Sequence, residues 1–542
     1  MSVFYLSKNK IKIFILFFYF TFIYLNCFLL KINYFLTLNG GILYKTIAII
    51  ALLFIFTLSF FLFILVSISG LFTRIALGSL IYFSVVTTGI YYDISNGNQM
   101  SFSDFHMIIN SIDMYSNAFH TYKNKIIYNI LFPLPLLLTF LYKVNSFNNK
   151  AKVKFNLSSW SIYLLLTFSV SFIVFFKKTG EGTKGIPEFL FPLSYSIDYV
   201  LDANFSNIKI NDRKLPKKTD NIRVSNIILI VDESINYSYI DINKIAKESS
   251  KANMLYDLSP AYSYSNLSQY SNILIRKMAR YDHEIQDARS DLGIWDLMKN
   301  QGYENYILDA QGDANGHDFF SKKEMKNVNI IPSKHTTNDN QLADLLINLL
   351  NDKKNEKKFI LVMKKGAHFP YILPDSCEII YKPVMSDYNM RKERKDIIIN
   401  TYKNLVSCNT DSFIKKISEY QKNDTAIIYT SDHGQNFDDL DKKFTHGNNI
   451  NPTIDEGIVP FFILGNNLNN FKVTSNIINS DFHSHYDIPY ILMDLSGYDE
   501  RQINKFLGDR IKKSCNLGYL YNNVYGFFSG MPLRQPVFNC NK

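Results

Sequence analysis

The first third of the chain is too apolar to fold as an ordinary soluble domain, and that restricts everything downstream. Five stretches, near Ile13–Leu30, Ile47–Ile68, Leu71–Tyr91, Ile127–Leu141 and Ile162–Phe176, approach the length of a membrane-crossing helix. Such a helix needs roughly 20 apolar residues for a hydrocarbon core of about 30 Å. The fourth stretch contains Pro133 and Pro135, which membrane helices tolerate better than soluble ones. The first has no small-residue cleavage site and further spans follow it, so it does not read as a removed signal peptide. The expected layout is a transmembrane domain over 1–180, a linker over 181–223 and a polar body over 224–542.

Basic residues in short loops set orientation. Lys8, Lys10 and Lys12 precede the first span, Arg74 lies at the junction of the second and third, and Lys143, Lys150, Lys152 and Lys154 lie between the fourth and fifth. Placing these on the cytoplasmic side puts the loop near Asp93–Lys125 and the whole body outside. Lys31, Lys45, Lys177 and Lys178 count the other way but form the smaller set. The net charge of +10 suits a body lying against anionic lipid. No zinc-finger, helix-turn-helix or RNA-binding signature accompanies it, so nucleic acid is not an expected partner. Four of the five cysteines, Cys377, Cys408, Cys515 and Cys540, fall in the body. They permit two disulfides in three pairings, one of which joins Cys515 to Cys540 and Cys377 to Cys408; four free structural thiols are the alternative.

In the body, short apolar runs alternate with longer polar, periodic ones. Asn226–Val231, Tyr306–Leu308, Phe359–Met363, Ala426–Tyr429 and Val459–Leu464 read as strands; Leu342–Leu350 and Ile397–Tyr420 read as helices. That order predicts an α/β fold with a mostly parallel central sheet, whose ligands bind beyond the carboxyl ends of the strands. The chemistry-bearing residues fall at those ends. Glu233 follows the first strand, Asp309 closes the second, His368 follows the third, Asp432 and His433 follow the fourth, and His446 comes a short loop later. Oxygen ligands mixed with imidazole suit zinc or manganese placed to polarise a phosphoryl oxygen. Any one such residue is more often structural; their recurrence after four strands is what carries the argument.

These runs resemble the membrane-bound phosphoethanolamine transferases of the alkaline phosphatase/sulfatase superfamily. The matching motifs are Ile230-Val231-Asp232-Glu233-Ser234, Asp309-Ala310-Gln311, Gly366-Ala367-His368-Phe369-Pro370, Ser431-Asp432-His433-Gly434, Thr445-His446-Gly447 and His485-Tyr486-Asp487. The resemblance implies a five-helix transmembrane bundle in the bacterial inner membrane, a periplasmic catalytic domain of alkaline-phosphatase/sulfatase type, and a monomer. It assigns zinc to Glu233, Ser268, Asp432 and His433. Ser268 is placed as nucleophile because Ser268-x-x-Ser271 matches the family's spacing, with Ser265 and Ser271 as alternatives. Serine stands where the family has threonine, and remains chemically adequate. His368 and His446 are implied to bind the phosphoryl group, hold a second zinc or move protons. Asp309, Gln311 and His485 fall to substrate binding, as do Asn110, Asp113 and Asn117 of the loop between the third and fourth spans. That loop lacks the family's threonine and glutamate, and the cysteine-framed lysine after the family's Asp-Asn-Gln is missing too.

The implied reaction is ping-pong transfer of phosphoethanolamine from phosphatidylethanolamine, through a serine intermediate, to an envelope glycan or lipid acceptor, with lipid A or lipopolysaccharide core expected first. A phosphoglycerol transferase on the same scaffold and a catalytically inactive membrane scaffold are the competing readings. A sulfatase would need Cys/Ser-x-Pro-x-Arg around the nucleophile, which neither Ser265 nor Ser268 has.

Overall fold

The structure, a computed structural model, describes residues 46, 71–94, 100, 105, 108, 115–141, 191–196, 213–219, 224–242 and, with short interruptions, 255–510. The chain divides into two compact units whose boundary falls between Asn207 and Ile208.

In the first unit, Leu71–Ile94 is a helix. Its Arg74–Ile94 portion, 21 residues of mean hydropathy 1.5, is the one helix among the described residues long and apolar enough to cross a membrane. Phe72, Leu80 and Phe83 stand exposed on it, as they would toward lipid. The stretches near Ile13–Leu30, Ile47–Ile68 and Ile162–Phe176 lie outside the described residues. The fourth expected span is not one continuous helix. Tyr115–Leu131 and Leu134–Leu141 are separate helices, interrupted where Pro133 supplies no amide hydrogen. Polar bonds tie the helices together: Asn129 Nδ2 donates to Asp93 Oδ2 at 2.6 Å, Lys125 Nζ to the Asp93 carbonyl at 2.7 Å, and Tyr82 to the Ile130 carbonyl at 2.7 Å. Within the expected linker, residues 191–196 are helical, and Phe191 and Tyr195 pack in a small apolar cluster with Tyr91, Met100 and Phe105.

The second unit is the predicted α/β body. Its strands among the described residues are β1 (Asn226–Asp232), β2 (Leu255–Asp257), β3 (Ala261–Tyr262), β4 (Glu304–Asp309), β5 (Asn329–Ile331), β6 (Lys358–Met363), β7 (Thr425–Ser431), β8 (Ile458–Val459) and β9 (Phe461–Leu464). Seven form one sheet in the order β2-β9-β7-β1-β6-β4-β5, and β3 pairs with β8. The five strands from β7 to β5 are parallel, while β9 runs antiparallel to both β7 and β2. Strands β1, β6 and β7 are buried along their whole length, so they read as continuous apolar runs rather than alternating ones. One face of the sheet packs Ile228, Ile230, Ile360 and Val362 against Leu342, Leu346, Tyr402 and Phe413 of the covering helices.

Two expected elements are subdivided. Val459–Leu464 becomes β8 and β9, because Pro460 cannot donate to a ladder. Ile397–Tyr420 becomes helix Lys395–Leu405, a π-helical turn Val406–Asp411 and helix Ser412–Tyr420. Cys377 and Cys408 are joined by a disulfide with Cα atoms 5.5 Å apart; Cys515 and Cys540 lie outside the described residues.

Register places the candidate residues on one edge. Val231 and Asp309 both pair with Met363, and Asp232 pairs with Ser431, so the residues after β1, β4, β6 and β7 emerge together. The turn after β6 must pass close to the end of β1. Gly366 has φ +54° there, and a Cβ would stand 2.5 Å from the Glu233 carbonyl oxygen and 2.8 Å from its amide nitrogen. A Gly366→Ala variant is expected to lose about 1–3 kcal/mol from the backbone conformation alone, with the steric conflict added. Denaturant titration checks this, and wild-type stability would show that the turn relaxes freely.

Candidate active site

Glu233, Asp432 and His433 form a candidate metal site: all three are buried, and one ligand atom from each lies within 4.8 Å of the others. Each arrives there for a local reason. Glu233 is the first residue past β1, and Ser234 behind it turns with φ +61°. The Ser234 hydroxyl donates to Glu233 Oε1 at 2.8 Å, and Gln311 Nε2 donates to Oε2 at 3.0 Å. Asp432 Oδ1 accepts the amides of Ser234 at 2.9 Å and His433 at 2.7 Å, while its Oδ2 is buried and has no hydrogen-bond partner among the described residues. His433 Nδ1 lies 2.7 Å from the Gly434 carbonyl, a contact only an N–H can satisfy, which in the neutral ring leaves the lone pair on Nε2. That Nε2 is 3.6 Å from both Glu233 Oε1 and Asp432 Oδ2. Gly434 is needed where the chain leaves this cluster, since a Cβ would stand 2.7 Å from the Ile458 carbonyl oxygen.

The donor set fits a divalent cation. A buried carboxylate oxygen without a donor is costly, and here it converges with a second carboxylate and a correctly oriented imidazole. Mixed oxygen and nitrogen ligation of this kind suits zinc, and the carbonyl and amide bonds behind each ligand hold it in place.

Ser268 stands at this cluster. It opens helix Ser268–Arg276, and its hydroxyl is 3.2 Å from Glu233 Oε1 and 3.1 Å from His433 Nε2. Its neighbours are otherwise engaged. Ser271 is buried, accepting the Ser265 amide at 3.0 Å and donating to the Ser265 carbonyl at 3.0 Å. Ser265 is itself buried. The loop is held from below by Asn266, whose Nδ2 donates to the buried Glu456 carboxylate at 2.7 Å.

His446 stacks on His433 with ring centroids 4.2 Å apart. Its Nδ1 lies 2.9 Å from Gln435 Oε1, and Gln435 donates in turn to the Tyr371 hydroxyl. Burial, with nearby His433 and His368, pushes the His446 imidazole well below its ordinary pKa, so it is neutral with Nε2 available. His368 is thereby close enough to act on His446 electrostatically.

Other expected residues take different positions. Gln311 holds Glu233 and also donates to the Lys364 carbonyl at 2.7 Å, and Asp309 Oδ1 accepts the Gln311 amide at 2.9 Å. Both support a ligand in this geometry. His485 is fully buried. Its Nδ1 accepts the Tyr264 amide at 3.1 Å and its Nε2 lies 3.0 Å from the Thr430 hydroxyl, so neither ring nitrogen is left to meet a substrate. Asn110 and Asp113 lie outside the described residues, and Asn117 lies on helix Tyr115–Leu131 of the first unit. The sequence assigns no role to Ser234, Gln435 or Glu456. Ser234 closes one quoted motif and Gln435 follows another, but their partners are identified only by the fold.

The fold and this cluster define a class: α/β proteins with a candidate metal site at the carboxyl edge of a largely parallel sheet. The sulfatase family profile matches residues 225–498, and the chain belongs to that family. It is structurally related to the bacterial phosphoethanolamine transferases. The integral membrane lipooligosaccharide phosphoethanolamine transferase A of Neisseria meningitidis is 17% identical, with 88% of this chain and 95% of that chain covered and a TM-score of 0.62. The zinc complex of the C-terminal periplasmic domain of EcEptC from Escherichia coli is 15% identical, covering 61% of this chain and 99% of that one at TM-score 0.43. The corresponding domain of phosphoethanolamine transferase EptC from Campylobacter jejuni is 16% identical, covering 60% and 98% at 0.43. No curated protein matches the chain by sequence.

Burial lowers the His485 pKa from 6.5 to about 3. Below pH 6.5 the unfolded chain therefore takes up a proton that the folded chain refuses. Stability from this group is intact above about pH 6.5 and falls toward pH 3, by up to about 1.4 kcal/mol per pH unit. Melting temperature against pH should drop across that interval, and His485→Gln should flatten the drop. An unchanged slope would mean that His485 titrates normally.

Proposed function

We propose that the protein is a zinc-dependent phosphoethanolamine transferase. In this reading several N-terminal helices anchor it in the bacterial inner membrane, with the catalytic unit in the periplasm. The donor is phosphatidylethanolamine and the acceptor an envelope glycan or lipid, lipid A or lipopolysaccharide core first. The observation that carries the reading is the Ser268 hydroxyl within 3.2 Å of Glu233 and 3.1 Å of His433, at the edge of a cluster with an orphaned carboxylate oxygen.

Glu233, Asp432, His433 and Ser268 would hold the zinc, which when bound lowers the pKa of the serine hydroxyl and offsets charge on a phosphoryl oxygen. Ser268 Oγ attacks phosphorus, the Oγ–P bond forms, and the bond to the diacylglycerol oxygen breaks. The serine proton ends on that departing oxygen. A neutral His446 is matched to receiving it and, once charged, to returning it. In the second half the acceptor oxygen displaces Ser268 and the acceptor's proton restores the hydroxyl. The helix that begins at Ser268 directs the positive end of its dipole at the transferred group. His368 supplies a further imidazole on the same side.

The test is intact-protein and peptide mass spectrometry on the solubilised protein incubated with headgroup-labelled phosphatidylethanolamine. Label is expected on Ser268 and should vanish in Ser268→Ala or after zinc chelation. With neither adduct nor diacylglycerol from zinc-loaded protein, the phosphatidylethanolamine assignment fails, and labelled phosphatidylglycerol then tests phosphoglycerol transfer. Polymyxin resistance on expression tests lipid A as acceptor, because the added group reduces its negative charge.

A further inference from the structure

Lys364 is a lysine with no access to solvent, directly beneath the candidate metal site. It follows β6, and its ammonium pairs with Asp232 Oδ2 and lies 3.4 Å from Asp339 Oδ2. The same ammonium stands over the Phe413 ring, 4.7 Å from its centroid. Asp232 is equally buried, and Oδ2 also accepts the hydroxyls of Tyr429 at 2.6 Å and Thr410 at 2.8 Å. Its remaining acceptors face the cluster. Oδ1 accepts the Glu233 amide at 2.9 Å, and the Asp232 carbonyl accepts the Asp432 amide at 2.9 Å. One residue thus fixes the main chain of two metal-ligand candidates, and Lys364 fixes that residue. A second route starts at Lys364 itself, whose carbonyl holds Gln311 against Glu233 Oε2.

Lysine is seldom buried without a specific charge partner. A core staple would need only one carboxylate. Here the ammonium meets two, and one of them, Asp232, carries the main-chain bonds to Glu233 and Asp432. We propose that Lys364 is a positioning residue for the metal site: its ammonium holds Asp232, and through Asp232 sets the placement of Glu233 and Asp432. This rests on the metal reading above and does not depend on donor or acceptor.

The experiment uses the full-length protein in detergent, with zinc itself as the probe, measuring zinc affinity by competition with a chromogenic chelator and apo-protein melting separately. Lys364→Met is expected to weaken zinc binding at least about ten-fold, the scale seen when partners behind metal ligands are removed. Leu346→Ala, a buried leucine of the same core, serves as the stability control: it should melt lower yet bind zinc as the wild type does. If Lys364→Met fails to fold, the double variant Thr410→Val, Tyr429→Phe removes two of the hydroxyls on Asp232 and should still weaken zinc. Wild-type zinc affinity in Lys364→Met, or in the hydroxyl variant if only that folds, overturns the proposal and leaves the metal site standing. A wild-type protein that takes up no zinc overturns both.

Discussion

Asp232, Glu233, Asp339 and Asp432 are each almost wholly excluded from water, gathered at the carboxyl ends of the parallel strands. Carboxylates in such surroundings shed their charge unless cations or donors compensate. The architecture around them supplies that compensation. Asp339 takes the amides of Lys365 and Gly366, Asp232 takes Lys364 and two hydroxyls, and Asp432 takes two amides on one oxygen only. Asp432 Oδ2 and the Glu233 carboxylate converge there with the His433 imidazole, and their negative charge is what a divalent cation would offset.

The parallel strands make this concentration of charge geometrically attainable. Because β4, β6, β1 and β7 end level with one another, residues far apart in the chain meet after a few steps beyond the sheet. Main-chain amides at those ends are free of the ladder and become donors to the carboxylates. The turn at Gly366 and the departure at Gly434 exist because the segments leaving the strands crowd together, and a Cβ at either position would strike main chain. The nucleophile candidate is brought in from outside the sheet, on a loop fastened through Asn266 to Glu456.

The division of labour between the units follows from their side chains. The first exposes large apolar groups along Leu71–Ile94, a surface suited to hydrocarbon. The second packs Ile228, Ile230, Ile360 and Val362 of its sheet against covering helices and carries its candidate metal site at the strand ends.

Much of this was legible residue by residue. The β-branched runs at Asn226, Phe359 and Ala426 declare strands because nothing else buries them. Glu233, Asp432 and His433 stand out because such residues recur after successive strands, and Ser268 because its spacing matches the family the chain resembles. Other features were not legible, because their causes are distant in sequence. The π-helical turn Val406–Asp411 looks like ordinary helix until Asn409 is seen donating to the Gly366 carbonyl and Thr410 to Asp232. His485 reads as a site residue until the fold turns both ring nitrogens inward. By itself the sequence determined the alternation of strands and helices, the apolar N-terminal region and the types of ligand. Only the tertiary structure decided which carboxylate faces the site and which is neutralised beneath it, because that depends on where Lys364, 132 positions after Asp232, comes to rest.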